Sequence, residues 1–201
     1  MITIVNYGLG NLGSISNMLN RIGKTSELAT SIEQIMKAEK LILPGVGSFD
    51  LAMKNLNESG LLNTLNDKVL NQRTPVLGIC LGMQLLTKGS EEGKLPGLGW
   101  IDAYTYKFTN NNTLKVPHMG WNEVHVSKPH ALINSLSVPS RYYFVHSYYV
   151  KYNDREDELM SCNYGIDFTC AIQHENIMGV QFHPEKSHKF GMELLRNFSE
   201  L

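Results

Sequence analysis

The first eighty residues alternate in pattern. An apolar run over 2–6 predicts a strand, followed by a Gly-rich turn and a helix near 11–22. A short strand near 25–29 and a helix near 31–37 come next. The strand Leu41-Ile42-Leu43 then ends in the loop Pro44-Gly45-Val46-Gly47-Ser48. Helical stretches near 48–56 and 60–71 lead into a further strand over Thr74-Pro75-Val76-Leu77-Gly78-Ile79. Strands and helices in alternation predict a mostly parallel central sheet flanked by helices. Beyond this the character changes. Aromatic and β-branched runs near 99–108, 121–126, 142–150, 159–164, 168–173 and 177–182 predict an added antiparallel part. Asn110-Asn111-Asn112 reads as a turn between two of these strands, and a last amphipathic helix covers about 188–199. No repeat or linker divides the pattern, so 1–201 reads as a single α/β domain.

Composition narrows the function classes. A chain of 201 residues with 42% hydrophobic content can bury a real core. Its net charge of −1, with no basic patch, argues against nucleic acid or an anionic membrane as partner. The cysteines Cys80, Cys162 and Cys170 are odd in number, widely spread and without a CxxC pair. That argues against a disulfide framework or a zinc site, and for a reducing cytoplasm. No signal peptide is expected at the strand-like N-terminus, and no apolar window approaches the roughly 18 residues of a membrane helix.

The densest chemistry is at Cys80. An apolar strand enters a turn, Gly78 and Gly82 flank the cysteine at two residues either side, and helix-forming Met83-Gln84-Leu85-Leu86 follows. The spacing is that of a nucleophile elbow with cysteine in place of serine. A helix N-terminus favours the reactive thiolate. The bland alternative is a buried structural cysteine in a Gly-flanked turn. Far downstream, Gly179-Val180-Gln181-Phe182-His183-Pro184-Glu185 is an apolar strand ending in a histidine and a carboxylate. A thiol nucleophile needs a base, and the base needs a third group to orient it. Cys80, His183 and Glu185 supply all three, each near the C-terminal edge of an expected strand, where active sites of open α/β sheets collect.

Gly8-Leu9-Gly10-Asn11-Leu12-Gly13 is a literal GxGxxG after a strand, so an NAD- or flavin-binding oxidoreductase is the rival reading. That reading wants an acid closing the second strand, whereas Glu27 lies inside it, and it leaves the Cys80, His183, Glu185 set without a role.

Taken together, the motifs resemble the class I (triad) glutamine amidotransferases. Gly78-Ile79-Cys80-Leu81-Gly82-Met83-Gln84, Phe182-His183-Pro184-Glu185 and Pro44-Gly45-Val46-Gly47-Ser48-Phe49 carry the resemblance. Asn6-Tyr7-Gly8-Leu9-Gly10-Asn11, Val116-Pro117-His118-Met119-Gly120-Trp121-Asn122 and Tyr143-Phe144-Val145-His146-Ser147-Tyr148-Tyr149 are similar to the glutaminase subunits of imidazole glycerol phosphate synthases. The resemblance implies a flavodoxin-like amidotransferase fold and a Cys80, His183, Glu185 triad that hydrolyses glutamine without a cofactor or metal. It implies oxyanion donors from the Leu81 backbone and from the Gly45-Val46-Gly47 loop, which must rearrange to present its N–H. Gln84 and the backbone of Ser147 and Tyr148 would hold the amino-acid end of glutamine. Asn11, Met119, Trp121 and Lys186 would face a (β/α)8-barrel cyclase in a heterodimer.

Two stretches depart from that subfamily. Thr87-Lys88-Gly89-Ser90-Glu91-Glu92-Gly93 lacks the usual acidic, aromatic pattern. Ser187-His188-Lys189-Phe190-Gly191-Met192 is similar to paralogues that supply ammonia for sugar amidation in surface-polysaccharide synthesis. Histidine biosynthesis is the leading expectation and sugar amidation the alternative. A cysteine peptidase on the same scaffold would leave Gln84 and Pro117–Trp121 without a role. A non-catalytic scaffold protein would have no need of three competent triad positions.

Overall fold

The computed structural model describes residues 1–109, 114–134, 136 and 139–201. The expected turn at Asn110-Asn111-Asn112 lies outside the described residues. In the first half, β1 (Ile2–Val5), β2 (Ser26–Ala29), β3 (Lys40–Gly45) and β4 (Val76–Cys80) alternate with α1 (Leu12–Arg21), α2 (Ile32–Lys37), α3 (Phe49–Glu58) and α4 (Leu62–Asn66). A π-helical turn continues α4 over Asp67–Asn71, and α5 (Leu81–Leu85) starts directly after Cys80. The second half contributes β5 (Ala103–Lys107), β6 (His118–Val126), β7 (Ser140–His146), β8 (Tyr148–Tyr152), β9 (Glu158–Asn163), β10 (Asp167–His174), β11 (Ile177–Val180) and α6 (His188–Glu200).

The strands share one sheet in the order β2-β1-β3-β4-β11-β10-β9-β6-β7, with β8 joining β10 and carrying β5. β2, β1, β3, β4 and β11 are mutually parallel, while the β10, β9, β6 and β7 ladder is antiparallel. The expected mixture of a parallel core and an antiparallel addition is therefore present. Strands buried on both faces, such as Val76–Cys80, read as continuous apolar runs because helices cover both sides. One buried cluster joins Ile15, Leu19, Ile42, Leu77 and the α6 residues Leu194, Leu195 and Phe198. A second, on the other face, joins Val5, Leu41, Leu43 and Phe49 to α4 and α5.

Four element boundaries differ from expectation. The segment expected as the loop Pro44–Ser48 is strand through Gly45, because parallel pairing continues to the register pair Gly45 and Cys80. The expected strand 142–150 is broken at Ser147: β7 pairs with β6, whereas β8 pairs with β5 and β10. The Ser147 carbonyl accepts from Phe108 N–H at 3.0 Å, which holds the chain where it changes partners. The expected runs 99–108 and 177–182 are shorter strands, the latter ending at Val180 so that Gln181 to Glu185 can turn into the site.

Candidate active site

β3, β4 and β11 are neighbours in the sheet, and the site lies at their C-terminal ends. Cys80 sits between β4 and α5 with φ 54° and ψ −110°, a conformation that costs a residue with a side chain about 1–3 kcal/mol. The surrounding contacts hold it there. A Cβ on Gly82 would lie 1.8 Å from the Leu43 carbonyl oxygen, and one on Gly78 would lie 2.7 Å from the Gly82 carbonyl oxygen. Both glycines are required by backbone against backbone, which confines the thiol to the top of the turn.

His183 follows β11. Its backbone N–H donates to the Tyr143 carbonyl at 2.9 Å, and the His183 carbonyl accepts from the Ser187 hydroxyl at 2.6 Å. The imidazole Nδ1 is 2.8 Å from Glu185 Oε1, with the two side chains 2% and 1% exposed. A carboxylate can only accept, so Nδ1 carries the proton and Nε2 is the nitrogen left for the thiol. Nε2 is buried without a hydrogen-bond partner among the described residues, and Cys80 is the group beside it that acts on its charge. The thiol and imidazole thus approach without closing a full hydrogen bond, as catalytic pairs without substrate often do. Burial alone would lower the His183 pKa. The interaction with Cys80, and the hydrogen bond and charge of Glu185, outweigh that and raise it well above the usual histidine value. A proton taken from Cys80 therefore has a stable place to sit.

In front of the thiol is a cavity of about 360 Å³ whose walls include Val46, Gly47, Leu81, Gln84, Ser147 and Tyr148. This is the volume of a small-molecule site. Tyr7 donates its hydroxyl to the Pro44 carbonyl at 2.6 Å, with its phenol pKa raised by burial and then by the charge of Cys80. Pairing and this bond pin the chain through Gly45. Freedom is left to Val46 and Gly47, and Gly47 has φ +107° with open space around its Cβ position. A Cβ on Gly10 would lie 3.0 Å from the Pro44 Cβ, and Glu27 accepts from the Thr3 hydroxyl at 3.1 Å. Gly10 thus serves close packing against the end of β3, which gives it a role without a dinucleotide.

Gln84 is buried, and its Nε2 donates to Gln181 Oε1 at 3.0 Å and to the Tyr148 carbonyl at 3.3 Å. Its N–H groups are committed to protein, so its carbonyl oxygen is the group it offers a ligand. Two residues of the site escaped the sequence reading. Gln181 is fully buried and donates from Nε2 to Cys80 Sγ at 3.7 Å; its period-two spacing from His183 was the available signal. Glu92 lines the cavity, accepts from Phe49 N–H at 2.9 Å, and has its pKa raised chiefly by burial. Nothing local marks it in sequence, because its place depends on a contact with the start of α3. Among the described residues no group of three or more His, Cys, Asp or Glu is gathered as a metal ion would need.

Of the residues expected to face a partner, Met119 is 62% and Trp121 40% exposed on β6. Trp121 stacks on His188 at 5.5 Å with the rings 3° from parallel, and the Lys186 ammonium lies 5.7 Å from the Tyr143 ring centre. Asn11 precedes α1, which packs on the 184–186 turn. No helix among the described residues is long and apolar enough to cross a membrane.

The class-I glutamine amidotransferase family matches residues 3–200. The chain is 57% identical to the imidazole glycerol phosphate synthase subunit HisH 2 of Methanococcus maripaludis, over 98% of each chain. It is 52% identical to the HisH 2 subunit of Pseudomonas aeruginosa over the full length of both. Its fold superimposes on a crystal structure of a glutamine amidotransferase with TM-score 0.78 at 19% identity, covering 99% of this chain and 97% of the other. The structure of PurLQS from Thermotoga maritima gives a TM-score of 0.72 at 13% identity, covering 99% of this chain and 97% of the other. The chain belongs to the class-I glutamine amidotransferases, and within that family to the imidazole glycerol phosphate synthase HisH subunits.

Proposed function

We propose that the protein is a single glutaminase domain that hydrolyses glutamine and passes the ammonia to a (β/α)8-barrel cyclase, in a cytoplasmic heterodimer serving histidine biosynthesis. The observation that carries the chemistry is the Cys80, His183, Glu185 set at the ends of β4 and β11, whose Cys80 and His183 line one cavity with Gln84 and Tyr148. Cys80 Sγ attacks the side-chain amide carbon of glutamine while His183 Nε2 takes the thiol proton. A tetrahedral oxyanion forms, received by the Leu81 N–H and by an N–H that the Val46–Gly47 segment presents after a peptide flip. Each such donor is worth about 3 kcal/mol of barrier. His183 returns its proton to the amide nitrogen, the C–N bond breaks and ammonia leaves. Water, deprotonated by His183, then cleaves the thioester to glutamate and restores the thiol.

Glu92 gives the substrate's α-ammonium a carboxylate. The Gln84 carbonyl and the Ser147–Tyr148 backbone hold the rest of the amino-acid end. The partner follows from the fate of ammonia, which is protonated and lost once it reaches water. The naming of the relatives as subunits supports an acceptor site on another protein chain. Asn11, Met119, Trp121 and Lys186 are its proposed docking residues. The names of the relatives as imidazole glycerol phosphate synthase subunits support that partner's identity.

One observation keeps a second reading open. His188, in the segment similar to the sugar-amidating paralogues, stacks on Trp121 and so lies on the proposed docking edge. The test is glutamate release from glutamine with and without a purified imidazole-glycerol-phosphate cyclase and its nucleotide ligand. Strong stimulation supports histidine biosynthesis. No stimulation, with Cys80 still labelled by a glutamine-shaped electrophile, would move the acceptor to the sugar-amidating branch.

A further inference from the structure

Two buried histidines form a hydrogen-bonded chain that ends on the cavity wall. His118 on β6 and His146 on β7 are direct cross-strand partners, with His118 Nδ1 2.9 Å from His146 Nε2. His146 Nδ1 lies 2.7 Å from the Tyr148 carbonyl oxygen. That oxygen can only accept, so the His146 proton is on Nδ1 and its Nε2 accepts. The bond between the rings must then be donated by His118 Nδ1. His118 Nε2 is left to accept, and Asn122 Nδ2 lies 3.4 Å from it. Geometry therefore assigns one tautomer to each ring.

Burial holds His118 at a pKa of about 4 and His146 at about 3, so both are neutral at physiological pH, as this assignment requires. The same Tyr148 carbonyl receives the Gln84 amide, Gln84 binds Gln181, and Gln181 reaches Cys80 Sγ. The pair lies among aromatic rings: His118 stacks on Tyr164 at 3.9 Å and on Phe144 at 4.7 Å, and Phe108 and Phe168 border His146. An aromatic hydrocarbon would fill that space without burying ring nitrogens, whose desolvation has to be offset by these bonds.

We propose that His118 and His146 are positioning residues for glutamine hydrolysis. They fix the Tyr148 carbonyl, and through it the Gln84 and Gln181 amides, in the arrangement that receives glutamine beside Cys80. The inference rests on the glutaminase reading. His118→Phe keeps the stacking but removes the donor to His146 Nε2, which frees His146 to change tautomer and release Tyr148. His118→Asn restores an N–H at the Nδ1 position.

The experiment compares alkylation rates of Cys80 in the full chain by a glutamine-shaped chloroketone and by iodoacetamide. Steady-state KM and kcat for glutamine are measured alongside in the cyclase complex. In His118→Phe the chloroketone preference is expected to fall about tenfold, with KM rising more than kcat falls, and His118→Asn is expected to recover most of the loss. His118→Gln, whose amide mimics Nε2 and not Nδ1, is expected to lose preference as Phe does, and it serves where Phe does not fold. An unchanged preference in folded His118→Phe or His118→Gln overturns the positioning role while leaving the glutaminase reading intact. A wild-type chain with no preference for the glutamine-shaped reagent would overturn that reading and this inference together.

Discussion

The ends of the parallel strands β3, β4 and β11 and the antiparallel strands β7 and β8 border one cavity by different means. On the parallel side the reactive groups are set by strand ends, with Cys80 on a turn that Gly78 and Gly82 close backbone to backbone, and His183 and Glu185 two residues apart on one short turn. On the antiparallel side the wall is set by partner exchange, where the strand breaks at Ser147 and presents Tyr148 toward Gln84. In the proposed reading, chemistry rests on local geometry that tolerates no added atom, and substrate recognition on contacts between segments far apart in sequence. Changes on the first side should cost kcat or the fold itself, and changes on the second should cost KM.

The largest effect is expected from Cys80→Ala, which should lower glutamate release by at least about 10⁴-fold in the cyclase complex. Partner binding, read by size-exclusion chromatography, should remain. Next is Glu185→Gln, expected to lower kcat by about 10²–10⁴-fold with little change in KM. The sign of its titration follows from the cause of the His183 shift: the raised pKa keeps the imidazole charged to higher pH, so losing the carboxylate lets His183 deprotonate at lower pH. NMR titration of the His183 ring nitrogens reads this directly.

Gly82→Ala tests the elbow. Its Cβ meets the Leu43 carbonyl oxygen at 1.8 Å, with backbone on both sides and nowhere to give, so a loss of more than about 2 kcal/mol is expected in denaturant melts. Gly47→Val should cut cyclase-stimulated turnover by about tenfold or more, with a local cost of about 1–3 kcal/mol in the melt, since its Cβ position is open but its φ of +107° strains a β-branched residue. Unchanged stimulation would remove the loop from the account. The smallest effect belongs to Glu92→Gln, expected to raise KM for glutamine by about 3–10-fold with kcat nearly preserved. Its amide oxygen can still accept from Phe49 N–H, so the start of α3 should stay in place.

The same comparison explains what could be read from the sequence. Cys80, His183 and Glu185 were legible because each sits in a short motif whose spacing dictates its geometry. The alternating first half was legible because buried parallel strands and amphipathic helices write their periods directly. The break at Ser147 was not, because 142–150 is an unbroken aromatic and β-branched run and only tertiary pairing divides it. Glu92, Gln181 and the tautomers of His118 and His146 were hidden for the same reason, each depending on partners 28 or more residues away. Conversely, the GxGxxG turn offered a false signal, since Gly10 answers to Pro44 packing as readily as to a phosphate.

The central claim is that Cys80 forms a glutamyl thioester which His183 helps to make and to break. It is tested most directly by acid-quenching the cyclase complex during turnover of glutamine and mapping the adduct by mass spectrometry. A glutamyl group on the Cys80 peptide, absent from Cys80→Ala, is the expected result. Glutamate release without any adduct at Cys80, or from the Cys80→Ala chain, would contradict the account.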